Sequence, residues 1–142
     1  TPGISDPGFL LVRECVQENI PVSCLPGAVA FIPVLVSSGL PSDKFYFEGF
    51  LPHKKGRQTR WKFLSTLDST FILYESPHRL VKCLMEIAEY CGSERRVCVG
   101  REISKVFEEI KTLEVLEMIT YYQEKTPKGE IVIVVSGKTG NS

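Results

Sequence analysis

From residue 41 onward the chain alternates between two hydrophobic periods, and that alternation restricts its fold more than any other feature. Apolar or aromatic runs at residues 45–50, 70–74, 97–101 and 130–135 have the length and β-branched character of strands. Between them lie segments whose apolar residues recur every three or four positions. Leu80, Leu84, Ile87, Ala88 and Cys91 mark one face of a helix that begins near Pro77 and stops at Gly92. A second helix carries Trp61, Phe63, Leu64 and Leu67, and a third is expected over residues 113–122, after a weaker strand at residues 107–111. The run at 70–74 is apolar without alternation, as in a strand covered on both faces. Strands alternating with helices predict an α/β sandwich with a mixed sheet flanked by helices.

The first forty residues follow another pattern. Asp6 and Pro7 read as an N-cap and first-turn pair ahead of Leu10, Leu11, Cys15 and Val16, which predicts a helix over residues 6–19. A short strand is expected at residues 21–25, and Pro26-Gly27 then opens a second, small-residue helix that ends near Gly39. The stretch Gly39-Leu40-Pro41-Ser42-Asp43 has linker chemistry, so a domain boundary is placed there.

Composition removes several alternatives. With 142 residues, 43% of them hydrophobic and 24% charged, the chain has the makings of a packed core and lacks the bias of a disordered segment. No apolar run approaches the roughly 18 residues of a membrane span, and the start reads as neither a signal nor a transit segment. Cys15, Cys24, Cys83, Cys91 and Cys98 form no Cys-x-x-Cys pair and have no zinc-like spacing with His53 and His78. No metal site is therefore expected, and the cysteines read as reduced, mostly buried thiols of a cytoplasmic protein. Seventeen Lys and Arg balance 17 Asp and Glu, so any contact with nucleic acid must come from a local patch.

Such a patch is present. Five of the ten residues from His53 to Lys62 are basic, none is acidic, and one is Trp61. Lys54, Lys55, Arg57, Arg60 and Lys62 are candidate phosphate contacts on a loop that Gly56 keeps mobile, with Trp61 as a stacking residue or anchor. A solvated charge run is the bland reading of the same residues. At the end of the 70–74 strand, Tyr74-Glu75-Ser76-Pro77-His78-Arg79 collects a carboxylate, a hydroxyl, an imidazole and a guanidinium where open α/β sheets bind ligands. Ser76 with Pro77 also reads simply as an N-cap and N1 pair. Arg101-Glu102 ends another strand, where a salt bridge is the simpler reading. Neither Gly-x-Gly-x-x-Gly, a P-loop nor Gly-x-Ser-x-Gly occurs.

In order along the chain, Thr-Pro-Gly-Ile-Ser-Asp-Pro-Gly, Leu-Pro-Gly-Ala-Val-Ala, Ser-Gly-Leu-Pro-Ser-Asp-Lys-Phe, Phe-Glu-Gly-Phe-Leu-Pro-His-Lys-Lys-Gly, Tyr-Glu-Ser-Pro-His-Arg and Arg-Glu-Ile-Ser-Lys resemble the ribosomal RNA small subunit methyltransferase I family of the tetrapyrrole (corrin/porphyrin) methylase superfamily. The resemblance implies a tetrapyrrole-methylase-like fold. Residues 1–40 would be a remnant of the N-terminal cofactor-binding domain, 41–137 a complete second α/β domain, and 138–142 a tail.

It implies S-adenosyl-L-methionine as cofactor, 2′-O-methylation of a cytidine ribose in small-subunit rRNA, the small ribosomal subunit as partner, and a homodimer. A fragment lacking half the cleft is expected to be inactive. Thr1, Ile4, Val29, Ala30, Glu75, Ile103, Gly129, Glu130 and Ile131 would contact the cofactor. Glu75, His78 and Glu102 are candidates for the base, with Arg79 and Arg101 as phosphate clamps. A tetrapyrrole methyltransferase and a noncatalytic RNA-binding module are the competing readings, and the basic run favours RNA over a porphyrinoid.

Overall fold

A computed structural model describes residues 3–103, 105–125 and 127–138. Five strands form one mixed sheet: β1 (Phe45–Phe50), β2 (Thr70–Glu75), β3 (Arg96–Arg101), β4 (Glu109–Glu114) and β5 (Ile131–Val135). Their spatial order is β1-β2-β5-β3-β4. Only β1 and β2 run parallel, joined by the crossover that contains helix α3 (Arg57–Leu64); every other pairing is antiparallel. β5, the last strand among the described residues, thus lies at the sheet centre, between β2 and β3, which explains the unbroken apolar sequence of 131–135.

Side-chain alternation divides the core in two. Phe71 and Leu73 of β2, Val97 and Val99 of β3, and Ile131, Ile133 and Val135 of β5 face α3, α4 (Leu80–Cys91) and α5 (Val115–Glu124). Ile72, Cys98, Val132 and Val134 face the other way, against Phe31, Val34, Leu35 and Leu40 of helix α2 (Phe31–Ser37) and the turn after it. The run at 70–74 is therefore covered on both faces, as its composition predicts. Helix α1 (Phe9–Gln17) differs: it contains no buried residue, and Phe9, Leu10 and Leu11 are 65–71% exposed.

The α2 contact depends on a glycine. A Cβ on Gly100 would lie 2.5 and 2.9 Å from the two Val34 methyls, so α2 sits directly on β3. Gly100→Ala should lower stability by about 1–3 kcal/mol. Adding Val34→Ala should return part of that loss, a coupling readable from denaturant midpoints of the two singles and the double.

Several boundaries shift from expectation. Residues 21–25 form no strand, because no described segment pairs with them, and they lie exposed. Asp6 does not cap α1; the helix starts later, with Gly8 at the cap position and no side-chain cap. The basic stretch is not all loop, since Gly56 takes a left-handed φ of 87° and α3 begins at Arg57. The expected strand at 107–111 runs instead to Glu114, held through its pairing with Arg96, and displaces the start of α5 to Val115. Of the five thiols only Cys83 and Cys98 are buried; Cys24 is exposed and all are free. Among the described residues, no helix is long and apolar enough to cross a membrane.

Candidate functional site

Three turns, distant in sequence, meet at one end of the sheet. The first is the Pro/Gly-rich loop ahead of α1. It reaches the end of β1, where a bulge at Phe47/Gly49 sets Gly49 at φ 75°; a Cβ there would come within 2.7 Å of Ser5 Oγ. The second is Glu75-Ser76-Pro77 at the end of β2, which leads through a 3₁₀ turn (Pro77–Arg79) into α4. The third is Gly129-Glu130 before β5, where Gly129 has φ 84°.

Between them lies a cavity of about 480 Å³ lined by Ile4, Ser5, Asp6, Ala30, Phe50, Tyr74, Glu75, Ser76, Pro77, Gly129, Glu130, Ile131 and Val132. A neighbouring cavity of about 320 Å³ shares Ala30, Glu130 and Val132 and adds Ala28, Val29, Pro33 and Ile103. Eight of the nine cofactor residues expected from the sequence thus line the two cavities. The ninth, Thr1, lies outside the described residues. Phe50 and Val132 belong to no expected set, and Tyr74 lies in the expected turn at the end of β2 without an assigned role. Tyr74 and Val132 are paired neighbours on β2 and β5 whose side chains share a face, something only the sheet order reveals. Phe50 packs edge-to-face on Tyr74 at 5.6 Å and so forms an aromatic wall.

The candidate bases separate. Glu75 is 7% exposed; its Oε1 accepts the Ser76 backbone N–H at 2.8 Å and its Oε2 lies 3.8 Å from Arg57 Nη2. Ser76 and Pro77 take the N-cap and first-turn positions of the 3₁₀ turn, as the sequence reading expects, but the Ser76 hydroxyl makes no cap hydrogen bond. His78 is exposed on the 3₁₀ turn and does not line either cavity. Glu102 is turned onto the backbone: its Oε1 accepts the Glu130 N–H at 3.1 Å and occupies the space beside Gly129 where a Cβ would project. It braces the third turn from behind rather than facing the cavity.

The basic residues separate too. Lys54, Lys55 and Lys62 are exposed, whereas Arg57 is 8% exposed and fully engaged. Its Nε and Nη2 donate to both oxygens of Glu86 at 2.8 and 2.7 Å, and Nη1 donates to the Pro52 carbonyl at 2.9 Å. Arg60 makes the same kind of fork with Glu48 at 2.8 and 2.6 Å and lies over the Phe63 ring. Trp61 is completely buried, donating to Glu86 Oε2 at 2.9 Å and stacking on Tyr90. The expectation that Arg57 contacts RNA is corrected accordingly, since Glu86 draws its guanidinium into the fold. Arg60 is committed to Glu48 with a third of its side chain still exposed, and of the two readings of Trp61 the structure takes the anchor. Arg79 is half-buried at the start of α4.

Arg101 is likewise engaged, through its Nε to Glu109 Oε1 at 3.2 Å; the salt bridge expected within Arg101-Glu102 forms with Glu109 across the β3–β4 pair instead, while Glu102 lies 3.7 Å from Lys105. Burial opposes ionisation of Glu109. Hydrogen bonds from Tyr121, Lys125, Arg101 and Tyr122 outweigh it and hold the carboxyl at about 2, below its ordinary 4.5. A carboxyl depressed on folding contributes stability that is present above its unfolded value and lost as pH falls from about 4.5 towards 2. Glu109→Gln should therefore cost about 2 kcal/mol at pH 7. Urea unfolding at pH 7 and near pH 2 should show the difference from the parent closing at the acidic end.

The matching family model is "Tetrapyrrole (Corrin/Porphyrin) Methylases", over residues 1–118. The chain is 46% identical over 140 residues to "Ribosomal RNA small subunit methyltransferase I" of Synechocystis sp., covering 98% of this chain and 50% of that protein. The protein of that name from Vibrio cholerae is 45% identical over 140 residues, covering 96% and 49%. The chain thus spans about half the length of these curated relatives. Among solved structures, the methyltransferase CobJ superposes with a TM-score of 0.68 at 16% identity, over 96% of this chain and 61% of that one. Uroporphyrin-III C-methyl transferase from Thermus thermophilus, complexed with S-adenyl homocysteine, gives 0.57 at 16% identity, over 93% and 59%. These two likenesses concern the fold.

Proposed function

The chain belongs to the tetrapyrrole (corrin/porphyrin) methylase family, and from that premise we propose that it is part of an S-adenosylmethionine-dependent methyltransferase acting on small-subunit rRNA, at the 2′-oxygen of a cytidine ribose. The observation that carries this reading is the convergence of Ile4, Ala30, Glu75, Gly129, Glu130 and Ile131 on one cavity. The names of the relatives supply the acceptor class.

The lining suits the cofactor. Apolar walls from Ala30, Phe50, Tyr74, Ile131 and Val132 adjoin the carboxylates of Glu75 and Glu130, a combination that fits a nucleoside joined to a cationic sulfonium. When bound, that sulfonium supplies a methyl group open to in-line displacement by oxygen. The protein's task is then to hold donor and acceptor in line and exclude water. Of the three candidate bases only Glu75 lines the cavity, so its carboxylate is assigned to a ligand hydroxyl. Lys54, Lys55 and Lys62 are assigned to rRNA phosphates, where a porphyrinoid would call for a broad apolar trough.

Residues 1–40 are read as the end of a preceding domain and 41–137 as a second one, against whose sheet α2 and Leu40 of the first pack. The exposed apolar surface of α1 supports this division, and a homodimer is the proposed assembly.

The test is methyl transfer by the full-length protein to small ribosomal subunits, with the modified nucleotide mapped. The expected product is a cytidine whose 3′ phosphodiester resists alkali. Label on a tetrapyrrole acceptor, with none on rRNA, would overturn the reading. The 142-residue chain alone should show no turnover.

A further inference from the structure

The structure points to a positioning residue that the sequence placed on the wrong side of the protein. We propose that Arg57 acts from beneath the cavity, fixing the Glu75 carboxylate in the orientation that presents it to a bound ligand. The inference rests on the cavity being the cofactor site.

Its basis is a short chain of contacts linking the helical layer to the end of β2. Glu75 closes β2, and its two oxygens are held differently. Oε1 accepts the Ser76 N–H at 2.8 Å, while Oε2 faces the Arg57 guanidinium at 3.8 Å. Without Arg57 the second oxygen would lose its guanidinium neighbour, and the carboxylate would be held through Oε1 and Ser76 alone. Arg57 itself cannot swing away. Glu86 takes two of its N–H donors at 2.7 and 2.8 Å, and the Pro52 carbonyl takes a third at 2.9 Å. Glu86 is in turn fixed by the Trp61 indole N–H at 2.9 Å.

These residues come from the β1–α3 loop, α3, α4 and β2, so the site's carboxylate is registered against three separate elements. One guanidinium thus faces two carboxylates, and planar, bidentate engagement of Glu86 aims its remaining edge at Glu75. A lysine has no such fork. That difference makes the role separable from simple charge.

The experiment uses the full-length protein and S-adenosylhomocysteine as calorimetric probe, with the thermal midpoint of every variant recorded. Arg57→Gln and Glu75→Gln should each weaken binding about tenfold, and the double variant should also lose about tenfold rather than a hundredfold. Arg57→Lys should recover most of the thermal midpoint but only part of the affinity. Arg57→Gln introduced into the Glu75→Gln background should lower the midpoint and leave affinity unchanged, which a purely structural arginine would not do. If Arg57→Gln binds the probe as tightly as the parent, or if the two losses multiply, the proposal is overturned. Should Arg57→Gln fail to fold, Arg57→Lys with Glu75→Gln completes the same cycle under the same criterion. A parent protein that does not bind the probe contradicts the cofactor reading itself, a separate outcome visible before any variant is made.

Discussion

Trp61→Ala should lower the free energy of unfolding by about 4 kcal/mol, a large part of the roughly 5–15 kcal/mol that holds a domain of this size together. The indole is fully buried between α3 and α4, stacked on Tyr90 with ring centroids 6.0 Å apart, so its removal opens a large void in the core. The second contribution is polar. Burial disfavours the charge on Glu86; hydrogen bonds from Arg57 and Trp61 outweigh it and keep the carboxyl below its ordinary range. Loss of the Trp61 N–H leaves that ion short of a donor. Trp61→Phe keeps most of the volume and removes the donor, and should cost about 1–3 kcal/mol. Urea unfolding of the two variants separates packing from hydrogen bonding. A cost below about 1 kcal/mol for Trp61→Ala would show that the indole does not occupy this core position.

Reversing charge at Lys54, Lys55 and Lys62 together should weaken rRNA binding of the full-length protein by about a hundredfold or more near 0.1 M salt, with little change in thermal midpoint. The three side chains are exposed, so no packing is lost. If each neutralises one phosphate, the plot of log affinity against log salt should flatten by about two to three units. An unchanged slope would remove these lysines from the interface. Arg57 and Arg60 stay outside the set: replacing either breaks a carboxylate pair, buried for Arg57 and partly exposed for Arg60, and lost affinity would then mix damage with contact.

The contrast within this one basic stretch shows where sequence reading succeeds and where it stops. Strands 45–50, 70–74 and 130–135 are legible because short apolar runs of β-branched or aromatic side chains are local properties. The α4 face is legible for the same reason at the helical period. Of the cavity, the turn at the end of β2 was legible because strand ends are where open α/β sheets bind ligands; the other lining residues came from the family resemblance. Arg57 was misread because its charge is visible in the sequence and its partner is not: Glu86 lies 29 residues away, and only the packing of α3 against α4 brings them together. Phe50 and Tyr74 received no role because aromatic residues on strands read equally well as core. Glu102 was misread because its φ of 54°, which turns it onto the Glu130 amide, leaves no trace in its neighbours.

By itself the sequence determined the α/β class, the positions of most strands and helices, and the turns that surround the site, because periodicity, β-branching and Pro/Gly turn chemistry act within a few residues. Only the tertiary structure decided the order β1-β2-β5-β3-β4, the burial of Arg57 and Trp61 against Glu86, and which of three carboxyl and imidazole candidates lines the cavity. Those outcomes depend on pairings across 25 to 64 residues of chain, where the free energy of burying a charge or an aromatic ring is set by what the rest of the fold brings against it.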